Sequence, residues 1–148
     1  MGVKVARSDT GWEISVTPME LTAKGKDLFK QDSLVRSPIL HSSAADANQL
    51  LQSLHQMHRD IVYEYPKGVE ELGASPCCSV QGMYAKGRII TVQGHPEFNQ
   101  QIMTDLLETR HARGIFNDEL YEDGMARAGK HHDGVAVSSA FLRFLLED

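Results

Sequence analysis

The chain has 148 residues, with 15 Lys and Arg against 20 Asp and Glu for a formal net charge of −5; it is 41% hydrophobic and 24% charged. These proportions fit a single globular domain and exclude the apolar-poor composition of a disordered chain. A weakly acidic balance without any run of Lys and Arg argues against nucleic acid as a partner.

No stretch approaches the roughly 18 apolar residues of a spanning helix. Met1 to Ala6 lack the apolar centre of a signal peptide, so a cytoplasmic chain away from membranes is expected. The two cysteines, Cys77 and Cys78, are neighbours. Adjacent Cα atoms lie about 3.8 Å apart, too close for an ordinary disulfide, in keeping with a reducing compartment.

In chain order, Trp12 to Val16 and Pro18 to Leu21 read as short strands, and Lys24-Gly25-Lys26-Asp27 as a turn. Ser43 opens a helical pattern through Ala47, Leu50, Leu51, Leu54 and Met57, predicting an amphipathic helix. Asp60 to Tyr65 reads as a strand closed by Pro66. Cys78 to Tyr84 and Arg88 to Gln93 read as two strands joined by a hairpin at Ala85-Lys86-Gly87.

Three helices follow. One carries Phe98, Ile102, Leu106 and Leu107 and stops at Gly114. The next is capped by Asn117 and ends at Gly129, and the last is capped by Asp133 and presents Val137, Ala140, Phe141, Phe144 and Leu145. Strands early and helices late place the chain in the α/β or α+β class.

The junction of strand, loop and helix from Arg88 to Leu107 draws attention, because open sheets bind ligands beyond the carboxyl ends of their strands. His95 and Glu97 stand there, with Pro96 holding His95 out of the helical region, so that both side chains point the same way. A carboxylate beside an imidazole fixes its tautomer and stabilises the imidazolium, as a general base requires. The same spacing also fits a surface histidine with a chance neighbour.

His131-His132-Asp133 has ligand types without the spacing of a metal set, whereas His55 and His58, three apart at the end of the predicted helix, have a spacing that a metal could use. Neither metal nor cofactor is expected. His58-x-Asp60 has a plain reading as a structural hydrogen bond at a strand start.

Val92-Gln93-Gly94-His95-Pro96-Glu97-Phe98 resembles the His-Pro-Glu motif of the class I glutamine amidotransferase family, in its stand-alone fungal and plant branch that includes γ-glutamyl peptidases. Arg7 to Glu13, Gln56 to Val62, Gly73-Ala74-Ser75-Pro76 and Gln81-Gly82-Met83-Tyr84 resemble further segments of that branch, in its order. The resemblance implies a flavodoxin-like α/β fold. It also implies a reaction in which a cysteine attacks the side-chain amide of glutamine, forming a γ-glutamyl thioester that water then hydrolyses. On this resemblance His95 is the general acid and base, Glu97 its orienting carboxylate, and Met57 with His58 the segment that helps hold glutamine or another γ-glutamyl compound.

The family's nucleophile sits on a Gly-x-Cys-x-Gly elbow, and no such motif occurs here. Cys77 and Cys78 lack flanking glycines. The expectation is therefore a truncated domain spanning 1–148, its first strands and elbow missing, with an insertion at 35–52, and inactive alone. The alternatives are a noncatalytic partner of another chain, self-associating through an exposed sheet, and a fragment of a γ-glutamyl peptidase or of an amidotransferase of specialised metabolism.

Overall fold

The computed structural model describes residues 2–29 and 51–146. Its centre is a five-stranded sheet in the order β3-β2-β5-β6-β7, formed by β2 (Glu13–Leu21), β3 (Leu51–His58), β5 (Glu70–Ala74), β6 (Gly82–Ala85) and β7 (Ile89–Val92). All of its pairings are antiparallel. A two-stranded ribbon, β1 (Val5–Arg7) on β4 (Asp60–Val62), stands beside it. Helices α1 (Ala23–Leu28), α2 (Gln100–Ala112), α3 (Asp118–Ala128) and α4 (Gly134–Leu146) complete the described chain, and none is long and apolar enough to cross a membrane.

The strands divide their side chains by parity, and the two sets feed separate cores. Met19 and Leu54 pack with Phe29, Leu72, Tyr84, Val137 and Ala140. Ile14 and Met57 pack with Met103, Leu107, Phe116 and Ala128. Helices therefore cover both faces, α1 and α4 on one and α2 and α3 on the other.

This double burial explains the main departure from the sequence reading. Residues 51–58 are a strand, not the end of a helix, and pair with β2 over eight rungs from Glu20↔Leu51 to Glu13↔His58. Gln52, Leu54, His55, Gln56 and Met57 are all buried. A strand enclosed on both faces loses its alternation, and Leu51, Leu54 and Met57 then mimic a helical period. Ser43 to Leu50, the rest of the predicted helix, lies outside the described residues, as does 35–50 of the expected insertion; Leu51 and Gln52 belong to the β3 ladder.

Smaller corrections have local causes. The two short early strands are one nine-residue strand, β2. The predicted turn at Lys24 to Asp27 is helix α1, capped by the Thr22 hydroxyl, which accepts from the Gly25 N–H at 3.1 Å. Gly25 is there for packing: a Cβ would stand 2.1 Å from the Leu72 carbonyl oxygen. The strand expected from Cys78 begins only at Gly82, because Ser75 and Cys78 close a tight loop with mutual backbone hydrogen bonds of 2.8 and 3.3 Å.

The hairpin is as expected, with Gly87 at φ +63°. Asn117 caps α3 through the Leu120 N–H at 3.0 Å. Asp133 opens α4 with its carbonyl, but its carboxylate accepts from the Ser53 N–H at 2.8 Å, tying helix to sheet. The Gly134 N–H is capped instead by His132 Nδ1 at 3.2 Å.

Beyond β7 the chain crosses back toward β3. The Gln93 N–H donates to the Gln81 carbonyl at 2.8 Å, and the His95 N–H donates to the His55 carbonyl at 2.8 Å in an antiparallel bridge. The sheet is thus curled, its last strand leading to its first.

Candidate functional site

The crossing segment is Gly94-His95-Pro96-Glu97. Gly94 can pass over β3 because it has no side chain: a Cβ would meet Gln56 Nε2 at 2.8 Å and Leu54 Cβ at 3.0 Å. Behind it, the start of α4 presses so closely that a Cβ on Gly134 would lie 2.3 Å from the Pro96 carbonyl oxygen. His95 is held by its backbone bridge and by its ring, which stacks on Phe98 with centroids 4.0 Å apart and planes 9° from parallel. Asn99 then caps α2 through the Ile102 N–H at 2.9 Å.

His95 Nδ1 lies 2.8 Å from Glu97 Oε1. With Nδ1–H donated to the carboxylate, Nε2 carries the lone pair, the tautomer that a general base uses. The imidazole is 35% exposed, so a reactant can reach it. Partial burial pushes the Glu97 carboxyl up, but the hydrogen bond to His95, its own backbone N–H and the imidazole charge outweigh that and hold it below the usual range. Glu97 therefore stays ionised at neutral pH and keeps the ring oriented.

Met57 and His58 lie elsewhere on the same edge. Both line a cleft of about 520 Å³ with Arg7, Trp12, Arg59, Asp60, Arg110 and Ile115, and His95 is not part of that lining. Met57 also belongs to a hydrophobic core and is 8% exposed. The link between the two places is Gln93, whose Nε2 donates to the Asp60 carbonyl at 2.8 Å and lies 3.5 Å from His58 Nδ1.

On its other side His58 Nε2 lies 3.2 Å from Glu13 Oε2, a carboxylate only 4% exposed. Gln81 Nε2 donates to the same carboxylate oxygen at 2.8 Å. His58 thus has its own buried partner, a relation absent from the sequence reading. Glu13 stood in a motif segment, but only the pairing of β2 with β3 reveals that it faces His58. The reading of His58-x-Asp60 as one hydrogen bond gives way to a relay in which Gln93 contacts the His58 ring and the Asp60 carbonyl.

The two cysteines are free thiols. Burial pushes Cys78 up to about 11, and its Sγ lies 3.3 Å from the Val80 carbonyl that accepts from it. Burial first, then the charge of Glu13, also raises Cys77. Neither is an activated thiolate.

His55 and His58, three apart on a strand, project to opposite sides, unlike the helical spacing considered for a metal pair. His55 is fully buried against His132, ring centroids 4.6 Å apart. Among the described residues no group of three or more His, Cys, Asp or Glu is placed to hold a metal ion.

No family model matches the chain. A glutamine amidotransferase-like protein of Schizosaccharomyces pombe is 26% identical over 146 residues, 99% of this chain and 52% of that protein. γ-Glutamyl peptidase 2 of Arabidopsis thaliana is 31% identical over 70 residues, 47% of this chain and 28% of that one. A crystal structure of a glutamine amidotransferase from Thermotoga maritima superposes with a TM-score of 0.61 at 18% identity, covering 99% of this chain and 56% of that one. The fold is thus that of the flavodoxin-like amidotransferase domains, and the chain spans about half the length of the fission-yeast relative.

Proposed function

Because the chain belongs to the class I glutamine amidotransferase-like family, we propose that it supplies the base of a cysteine, histidine and glutamate triad acting on γ-glutamyl amides. The observation that carries this is the 2.8 Å contact of His95 Nδ1 with Glu97 Oε1, which leaves Nε2 as an accessible acceptor. In the proposed reaction Nε2 takes the proton of a thiol, and the sulfur attacks the γ-amide carbon. The imidazolium then hands its proton to the departing nitrogen; Nε2 next deprotonates a water that attacks the thioester, and the proton passes to the leaving sulfur as glutamate is released. Glu97 acts through His95 as a positioning residue, and Met57 and His58 help to seat the γ-glutamyl group.

The thiol comes from a cysteine other than Cys77 and Cys78, so the 148-residue chain alone releases no measurable ammonia from glutamine. The test is a chimera joining this chain to the portion of the fission-yeast relative that it does not match. It should hydrolyse glutamine, and His95→Ala should lower the rate by about 10²- to 10⁴-fold. A chimera whose rate is indifferent to His95→Ala would refute the proposal.

A second reading, a noncatalytic partner of another chain, draws on the outer face of α4. There Val135, Leu142, Leu145 and Leu146 are 82%, 63%, 75% and 83% exposed. Helices cover both faces of the described sheet, so this stripe, not the sheet, is the surface in question. A monodisperse monomer by light scattering at micromolar concentration would count against that reading.

A further inference from the structure

Helix α4 is apolar on two faces. On one, Val137 and Ala140, with Phe141 and Phe144 beside them, pack into the core against Met19, Leu54 and Tyr84. On the other, Val135, Leu142, Leu145 and Leu146 are exposed. A helix that is apolar all round ordinarily has neighbours all round. Its single charged residue, Arg143, reaches α1, where it donates to the Leu28 carbonyl at 2.9 Å.

The outer face has the spacing of a helix-to-helix seam. Val135, Ser139, Leu142 and Leu146 follow one another at intervals of four, three and four, the alternation by which one helix meets another along a heptad. Leu145 flanks this row. Ser139 is its only polar side chain, and the hydroxyl is already donated to the Val135 carbonyl at 2.8 Å, so a dry contact leaves no donor unsatisfied there.

The seam is also its own complement. Its spacing reads the same in both directions about the midpoint between Ala140 and Phe141. Two copies laid antiparallel across a two-fold axis bring Val135 against Leu146 of the second copy, and Ser139 against Leu142 of the second copy, so the small side chain faces a large one. Parallel pairing would set Ser139 on Ser139, leaving a gap, and would align the two helix dipoles instead of opposing them.

We propose that α4 is a homodimer interface, formed by antiparallel two-fold pairing of this seam with a second copy of the chain. The pairing does not depend on the γ-glutamyl reading. A helix of this length is about 20 Å long, and one such pair buries less than the roughly 1,200–2,000 Å² of a stable standard interface. Association is therefore weak and concentration-dependent, with a Kd of about 1–100 µM.

Sedimentation equilibrium of the 148-residue chain from about 1 to 500 µM should show monomer and dimer in that range. Leu142→Glu should weaken association by about tenfold or more, with circular dichroism unchanged because the side chain is exposed. Val135→Glu and Leu146→Lys should each weaken it likewise, and mixing these two variants should restore the dimer. The mixed pair sets the new carboxylate opposite the new ammonium and keeps one contact between Val135 and Leu146 intact. A chain that stays monomeric throughout, a dimer indifferent to Leu142→Glu, or a mixture that restores nothing overturns the proposal. So does a chain that is monomeric alone yet binds the unmatched portion of the fission-yeast relative through α4, since that portion then fills the seam.

Discussion

His55 makes the fold acid-labile in a way that can be measured. It is fully buried at the centre of β3, and neither ring nitrogen has a hydrogen-bond partner among the described residues. Burial, then the charges of His132 and His95, lower it from 6.5 to about 4. The unfolded chain therefore takes up this proton near the ordinary histidine value, whereas the folded chain resists until about pH 4. The contribution is fully present above 6.5, is lost as the pH falls from 6.5 to about 4, and changes no further below that. At about 1.4 kcal/mol per unit, the interval corresponds to a ceiling of about 3 kcal/mol.

The assay is urea unfolding followed by circular dichroism at a series of pH values across that interval, for the unaltered chain and for His55→Leu. The variant removes the titrating ring from an apolar setting, and its stability should fall less steeply with acid, whatever its stability at neutral pH. His132, also lowered by burial and by His131, remains in both proteins and cancels in the comparison apart from its coupling to His55. Parallel pH dependences for the two proteins would refute the reasoning.

Gly25→Ala puts a methyl group against the Leu72 backbone and should cost about 2 kcal/mol or more, read as a lowered thermal midpoint. Ser15 is buried in β2 at φ +63° and donates through Oγ to the Gly124 carbonyl at 2.7 Å, so Ser15→Ala should lose about 1–3 kcal/mol in denaturant unfolding. His95→Ala should raise the Glu97 titration followed by carbon NMR, since the burial that raises it stays and the imidazole that lowers it is gone. In the unaltered chain the Glu97 carboxylate that His95 lowers is ionised above its lowered value and is lost as the pH falls through it.

How much of this was legible beforehand depended on the range of the interactions. The hairpin at Gly87, the Asn117 cap and the closeness of His95 to Glu97 are encoded within a few residues, and the sequence reading found them. Strand β3 was missed because its state is decided by pairing with β2 and by helices on both faces, and its buried Gln52, His55 and Gln56 interrupt any strand-like alternation. Glu13 and the three cleft arginines lie far apart in sequence, and their convergence on the surroundings of His58 appears only once β1, β3 and α2 are assembled. Gly25 was misread because close packing and a turn both ask for glycine.

The bridge between His55 and His95 has a consequence for the order of events during folding. It joins two residues 40 apart across a stretch that includes β4 to β7, so it is a nonlocal contact whose loop closure costs more entropy than the β6–β7 hairpin does. The seat of the His95 imidazole thus depends on long-range closure, and exchange of the His95 amide hydrogen, donated to the His55 carbonyl, should report that closure separately from the hairpin.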